Sequence, residues 1–140
     1  MTASADLTIP AILDEIPIVS FELEQCMRSS DFSDEQILDL QLAVEEAITN
    51  IVLHGYAGTP GTLSICCRAG PDEVIVEISD TAPAFDPLRV PEPDTAADLE
   101  DREVGGLGIF LIRKVTDSAT YRYEKAKNIL TLTKKKHLVS

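Results

Sequence analysis

The chain has 140 residues, enough for one domain with a real core, and its 44% hydrophobic and 26% charged content is ordinary globular usage that suggests neither an overall disordered chain nor a fibrous architecture. A net charge of −12 repels nucleic acid backbones and anionic lipid, and the absence of tryptophan with only 5% aromatics removes the stacking platforms that single-strand binders use. The charge is uneven: residues 113–140 hold 8 of the 12 bases and 2 of the 24 acids, including the run Lys134, Lys135, Lys136, which reads as a solvated tail or as a partner or phosphate contact.

Leu7 to Ile12 reads as a first strand, and Asp14 to Arg28 as a helix whose Pro17 is tolerable only in the first turn. Ile16, Val19, Leu23 and Met27 give that helix one apolar face. Ser33 with Gln36 has the form of a capping box. It opens the strongest helical pattern, Ile37 to Leu53, with Ile37, Leu40, Val44, Ala47, Ile48 and Ile51 apolar and Gly55 available to end it. Gly58, Pro60 and Gly61 make a turn. Thr62 to Arg68 and Glu73 to Ser79 read as strands joined through Gly70, Pro71 and Asp72, with Val74, Val76 and Ile78 on one face. Ala82 to Val104 is acidic and proline-rich with little periodicity, and an insert of that length in a small domain is functional or disordered. Gly105 to Asp117 resumes as an amphipathic helix, and strands Ser118 to Glu124 and Asn128 to Lys134 follow around a turn at Lys125 to Lys127. The order β-α-α-β-β, loop, α-β-β predicts an α/β (α+β) two-layer sandwich, with a mixed, mostly antiparallel sheet and helices on one face. A single domain over residues 1–140 is expected.

Cys26, Cys66 and Cys67 are an odd count without metal-ligand spacing, so neither zinc nor a disulfide framework fits; of the adjacent pair, one is expected to face the core as a small apolar residue. The chain lacks an apolar stretch long enough to span a bilayer and a signal-peptide pattern at its amino terminus, which predicts a cytoplasmic protein without a membrane association.

Three features carry chemistry. Glu46 and Asn50 stand four apart on one face of the second helix, where a carboxylate can orient a nucleophile and a carboxamide can ligate a hard cation; a solvated helix face would show the same pair. Asp80 ends a strand, where it can accept a hydrogen bond from a ligand's amino group or cap a turn. Gly105-Gly106-Leu107-Gly108 opens a helix, where backbone N–H groups can approach phosphate oxygens; it is neither a Walker sequence nor a dinucleotide fingerprint, and it can also be a tight loop-to-helix join.

In this order the three features resemble the Bergerat-fold ATP-binding family, which includes gyrase and the histidine kinases. The carrying strings are Asp39 through Asn50 followed by His54-Gly55-Tyr56, then Ile78-Ser79-Asp80 with Phe85-Asp86-Pro87, then Gly105 through Arg113. The resemblance is nearest to the anti-sigma-factor serine kinase branch. It implies a Bergerat ATP-binding fold and the cofactors ATP and Mg2+. It further implies Glu46 as general base, Asn50 as the magnesium ligand, Asp80 on the adenine amino group, and Gly106, Leu107 and Gly108 as the phosphate cradle. Residues 87–104 become the lid over the nucleotide. The implied function is an ATP-dependent serine protein kinase, an anti-sigma regulatory factor that phosphorylates a STAS-domain anti-anti-sigma partner and holds a sigma factor, with dimerisation expected from the resemblance alone. The family's D-x-G reads Asp80-Thr81-Ala82 here, and alanine disfavours φ > 0, so the turn differs locally or nucleotide affinity is lower. That departure favours an alternative, a nucleotide-sensing binding module that transfers no phosphate. A detached histidine kinase catalytic domain is a third reading, disfavoured because His54 and His137 lie in the wrong contexts for a phosphoacceptor.

Overall fold

A computed structural model describes residues 2–89 and 108–136. The elements are β1 (Ala3–Pro10), a 3-10 turn (Leu13–Glu15), α1 (Ile16–Arg28), α2 (Asp34–Asn50), a π-helical turn (Ile51–Gly55), β2 (Thr62–Ala69) and β3 (Glu73–Asp80). They continue with α3, helical over 108–115, β4 (Ser118–Glu124) and β5 (Lys127–Lys135).

Local chemistry explains most boundaries. Pro17 lies in the first turn of α1, where its missing N–H is not needed. Ser33 Oγ accepts from the Gln36 backbone N–H at 3.2 Å while Gln36 Oε1 accepts from the Ser33 N–H at 2.9 Å, so the capping box starts α2, an arrangement typically worth about 0.5–2 kcal/mol. The α-helix stops at Asn50 rather than running to Leu53, and the chain widens into π geometry, with Tyr56 N–H bonded to the Ile51 carbonyl at 2.8 Å. β1 begins four residues before the sequence pattern suggests, because its amino-terminal half alternates small and polar residues and lacks strong strand formers. The β4–β5 hairpin turns on Lys125 and Ala126, both at positive φ (53° and 61°), as a two-residue hairpin loop requires.

The sheet order is β1-β2-β3-β5-β4. Every pairing is antiparallel, so among the described residues the parallel component that a mixed sheet allows is absent. The fold is otherwise the expected two-layer α+β sandwich. Alternation in β3 sends Val74, Val76 and Ile78 into the core, where they meet Leu63, Ile65 and Cys67 of β2 and Leu130 and Leu132 of β5. From the helical layer, Val19, Leu23 and Met27 of α1 and Ile37, Leu40, Val44, Ala47 and Ile48 of α2 close the same core. Burial of each large side chain contributes about 1.5–3 kcal/mol. The apolar stripe of α1 is thus consumed within the monomer. Cys67 is buried and Cys66 lies on the opposite face of the sheet, and all three cysteines are free.

The lysine run is not a uniformly solvated tail. Lys134 is only 8% exposed; its Nζ donates to the Val115 carbonyl at the end of α3 (2.8 Å) and pairs with Asp39 of α2 at 3.4 Å. Lys136 donates to the Ser30 carbonyl and stands 4.6 Å from the centroid of the Phe32 ring. Two of the three lysines therefore stitch the sheet to the helices, and Lys135 alone is exposed.

Candidate functional site

The carboxy-terminal half of α2 presents Glu46, half-buried, and one turn later Asn50, only 4% exposed. Asn50 Nδ2 is buried and, among the described residues, has no hydrogen-bond partner. Leaving such a group unmatched costs about 1–3 kcal/mol, so a buried carboxamide with an open end points to an external ligand. The amide's N and O ends are interchangeable by a flip, which would turn the oxygen to the unmatched position.

Asp80 closes β3 and, at 6% exposure, sits on the helix-facing side of the sheet in line with Val74, Val76 and Ile78. Its Oδ1 accepts from the Ala82 N–H at 3.0 Å and from Asn128 Nδ2 at 2.9 Å. Burial raises the Asp80 carboxyl above the usual carboxylate range, while the Asn128 amide and the Ala82 N–H pull it back. Ala82, standing where the family has glycine, does not take a positive φ; its own N–H is the one that caps Asp80. The turn is therefore built without backbone strain at the substituted position.

Contacts along the chain draw the three features together. A Cβ built on Gly108, the first described residue of α3, would stand 2.7 Å from Glu46 Oε2, so the start of α3 lies directly against the α2 carboxylate. Beyond Asn50, a Cβ on Gly55 would meet the Phe85 ring at 3.3 Å, and the His54 and Phe85 ring centroids are 6.3 Å apart. Tyr56 completes the link: its hydroxyl donates to the Thr62 carbonyl at 2.6 Å and accepts from the Thr81 N–H at 3.3 Å. The segment following Asn50 is thus tied to the segment following Asp80. Gly106, Leu107 and residues 90–104 of the proposed lid lie outside the described residues.

Sequence reasoning quoted Tyr56 only as part of a motif and overlooked Asn128, whose amide bonds Asp80, and Tyr121, whose hydroxyl bonds that amide. The signal for Asn128 is its register: it precedes Leu130 and Leu132 by even steps, so it is a polar residue at a core-facing position of a buried strand. Among the described residues, clusters of three or more His, Cys, Asp or Glu able to hold a metal ion are absent. A magnesium ion held by one or two protein oxygens together with substrate phosphates needs no such cluster, and the open carboxamide of Asn50 one turn from Glu46 fits that donor set. No helix among the described residues is long and apolar enough to cross a membrane.

Comparison with known proteins identifies the family. The histidine kinase-like ATPase domain matches residues 9–134. A serine-protein kinase RsbW of Listeria monocytogenes is 30% identical over 129 residues, covering 89% of this chain and 82% of the relative. The serine/threonine-protein kinase BtrW of Bordetella bronchiseptica is 35% identical over 95 residues, 67% of each chain, and an anti-sigma F factor of Clostridium acetobutylicum is 30% identical over 109 residues, 73% of this chain and 71% of that one. Among solved structures, the RsbU and RsbW domains of a Mycobacterium tuberculosis protein align with a TM-score of 0.62 at 18% identity, a likeness of fold. That alignment covers 94% of this chain and 32% of the longer one. With the family's domain spanning nearly all of its core elements, the chain belongs to the histidine kinase-like ATPase domain family, on the side of the serine-protein kinases and anti-sigma factors.

Proposed function

We propose that this chain, acting as a single cytoplasmic domain, binds ATP with magnesium between α2, the end of β3 and the start of α3, and transfers the γ-phosphoryl group to a serine of a STAS-domain anti-anti-sigma partner. In its alternate state it holds a sigma factor. The observation that carries the reading is Asn50, buried with an unmatched amide end one helical turn from Glu46.

In this reading Asp80 accepts a hydrogen bond from the adenine amino group, which rejects a 6-oxo purine because a carbonyl cannot donate there. Backbone N–H groups of Gly106, Leu107 and Gly108 receive the phosphates, and residues 87–104 cover the nucleotide. Asn50 offers its amide oxygen to magnesium. When bound, that ion neutralises phosphate charge and orients the γ-phosphoryl group. Glu46 accepts the proton of the serine hydroxyl as its oxygen bonds to phosphorus, while the bond from phosphorus to the β–γ bridging oxygen breaks and ADP departs. Positioning and charge neutralisation dominate such chemistry. A homodimer, if formed, uses a surface other than the buried apolar stripe of α1.

Incubation with labelled ATP and the cognate STAS protein tests the proposal. Phosphoserine should form with the native chain, and Glu46→Ala should abolish transfer while retaining ATP binding. Absence of phosphoserine with ATP binding intact would leave the sensing module as the better reading; full activity of Glu46→Ala would remove the assigned base. The feature that favoured a transfer-free module, Ala82, carries less weight once its φ is negative and its N–H is engaged by Asp80.

A further inference from the structure

Asn128 has no role in the reading above, yet it is the most heavily bonded side chain near Asp80. It lies on β5 directly opposite Asp80 in the antiparallel register and is 4% exposed. Its Nδ2 donates to Asp80 Oδ1 at 2.9 Å, to the Ala82 carbonyl at 3.0 Å and to the Pro83 carbonyl at 3.2 Å. Its Oδ1 accepts from the Phe85 N–H at 2.9 Å and from the Tyr121 hydroxyl of β4 at 2.5 Å. Both ends of the carboxamide are therefore used up internally, and the side chain has nothing left for a ligand.

This pattern has a directional consequence. Both internal bonds to Asp80 fall on Oδ1, from Asn128 and from Ala82. Among the described residues Oδ2 has no partner, so it is the oxygen left for an external donor. The same amide pins the turn at residues 82–85 to the sheet, and that turn delivers Phe85 against Gly55 and His54 beyond Asn50. Groups of fixed polarity set which end of the amide faces Asp80: the Phe85 N–H requires the oxygen on its side, and the Ala82 and Pro83 carbonyls require the nitrogen beside the carboxylate, while the Tyr121 hydroxyl adds a second donor to the same oxygen.

We propose that Asn128, held by the Phe85 N–H and the Tyr121 hydroxyl, is the positioning residue of the nucleotide site, keeping Asp80 with one oxygen occupied and the other presented, so that selection of a 6-amino purine belongs to the Asp80–Asn128 pair. This inference rests on the assignment of Asp80 to the adenine amino group. The carboxylate alone, freed from the strand, would rotate and lose the preference.

The test is a calorimetric titration, in millimolar magnesium, of the native chain, Asn128→Ala and Tyr121→Phe with ATP, with inosine triphosphate and with inorganic triphosphate. The native chain should prefer ATP to the 6-oxo nucleotide. Asn128→Ala should lose that preference by about tenfold or more, the scale of a hydrogen bond to a charged group, while binding of inorganic triphosphate stays unchanged. Tyr121→Phe, which removes only the hydroxyl, should lose part of the preference and decides the matter if Asn128→Ala does not fold. A preserved preference in either folded variant overturns the proposal, as do equal losses for all three ligands, which are the mark of a merely structural role. A native chain that binds inorganic triphosphate but does not distinguish the two nucleotides overturns the Asp80 assignment itself.

Discussion

A side-chain carbon on Gly108 would stand 2.7 Å from Glu46 Oε2, closer than such carbons approach any neighbour. The atom it would strike is the free end of a flexible side chain, so the glycine governs where the carboxylate rests more than whether the domain folds. Gly108→Ala should therefore leave thermal stability nearly unchanged while pushing Glu46 off its position. A displacement of about 1 Å can cost about 100-fold in rate, and phosphoserine formation should fall on that scale with ATP affinity reduced far less. Unaltered transfer would show that Glu46 needs no fixed position there.

Asn50→Leu removes a buried amide whose Nδ2 is unmatched. The ligand-free protein should melt at the same temperature or higher, since an unmatched buried group costs about 1–3 kcal/mol. Addition of Mg-ATP should then no longer raise the melting temperature, whereas a native chain with ligand at 100 times Kd gains about 2.7 kcal/mol. Melting curves with and without nucleotide read both effects.

Asp80 gives a pH prediction. Its folded-state pKa is raised by burial. The ionised carboxylate therefore costs stability at neutral pH, and that cost is relieved as the pH falls through the folded pKa and is gone below the ordinary value of 3.8. Asp80→Asn should be more stable than the native chain at pH 7, with the charge-dependent part of the gap closing on acidification. ATP affinity should fall about tenfold or more. Denaturant titrations at several pH values check the first claim, and a gap independent of pH would contradict it.

Gly61→Ala places a Cβ 2.1 Å from Tyr56 Cε1 and 2.6 Å from its Cζ. The Tyr56 ring is buried and its hydroxyl is held by Thr62 and Thr81, so it cannot swing aside. Overpacking of this kind costs about 1–3 kcal/mol, and the melting temperature should drop by roughly 3–10 °C. Nucleotide affinity should also weaken, because the strut between the Asn50 and Asp80 segments moves with the ring.

Much of this protein is written locally. The capping box at Ser33 and Gln36, the apolar spacing of α2 and the alternation of β3 each depend on neighbours within a few residues, and short-range hydrogen bonding and burial periodicity decide them without reference to the rest of the chain. Glu46, Asn50, Asp80 and Gly108 could be put forward as site residues for the same reason, as chemistry placed at element ends and in a recognisable order.

Partnership across the sheet was not legible. That β5 inserts between β3 and β4, placing Asn128 between Asp80 on one side and Tyr121 on the other, follows from how the two hairpins and the helices share one core. The Tyr121–Asn128 contact lies within one predicted hairpin, but Asp80 is 48 residues from Asn128 and no short window of sequence contains that contact. Lys134 and Lys136 make the same point: as a string they are a charged tail, and only the arrival of Val115, Asp39, Ser30 and Phe32 from distant segments turns them into ties between sheet and helices. Local patterning is enough to mark most helices and strands and to nominate side chains capable of chemistry; which of those side chains meet emerges only as the layers close, because burial and hydrogen-bond pairing between remote residues are settled there.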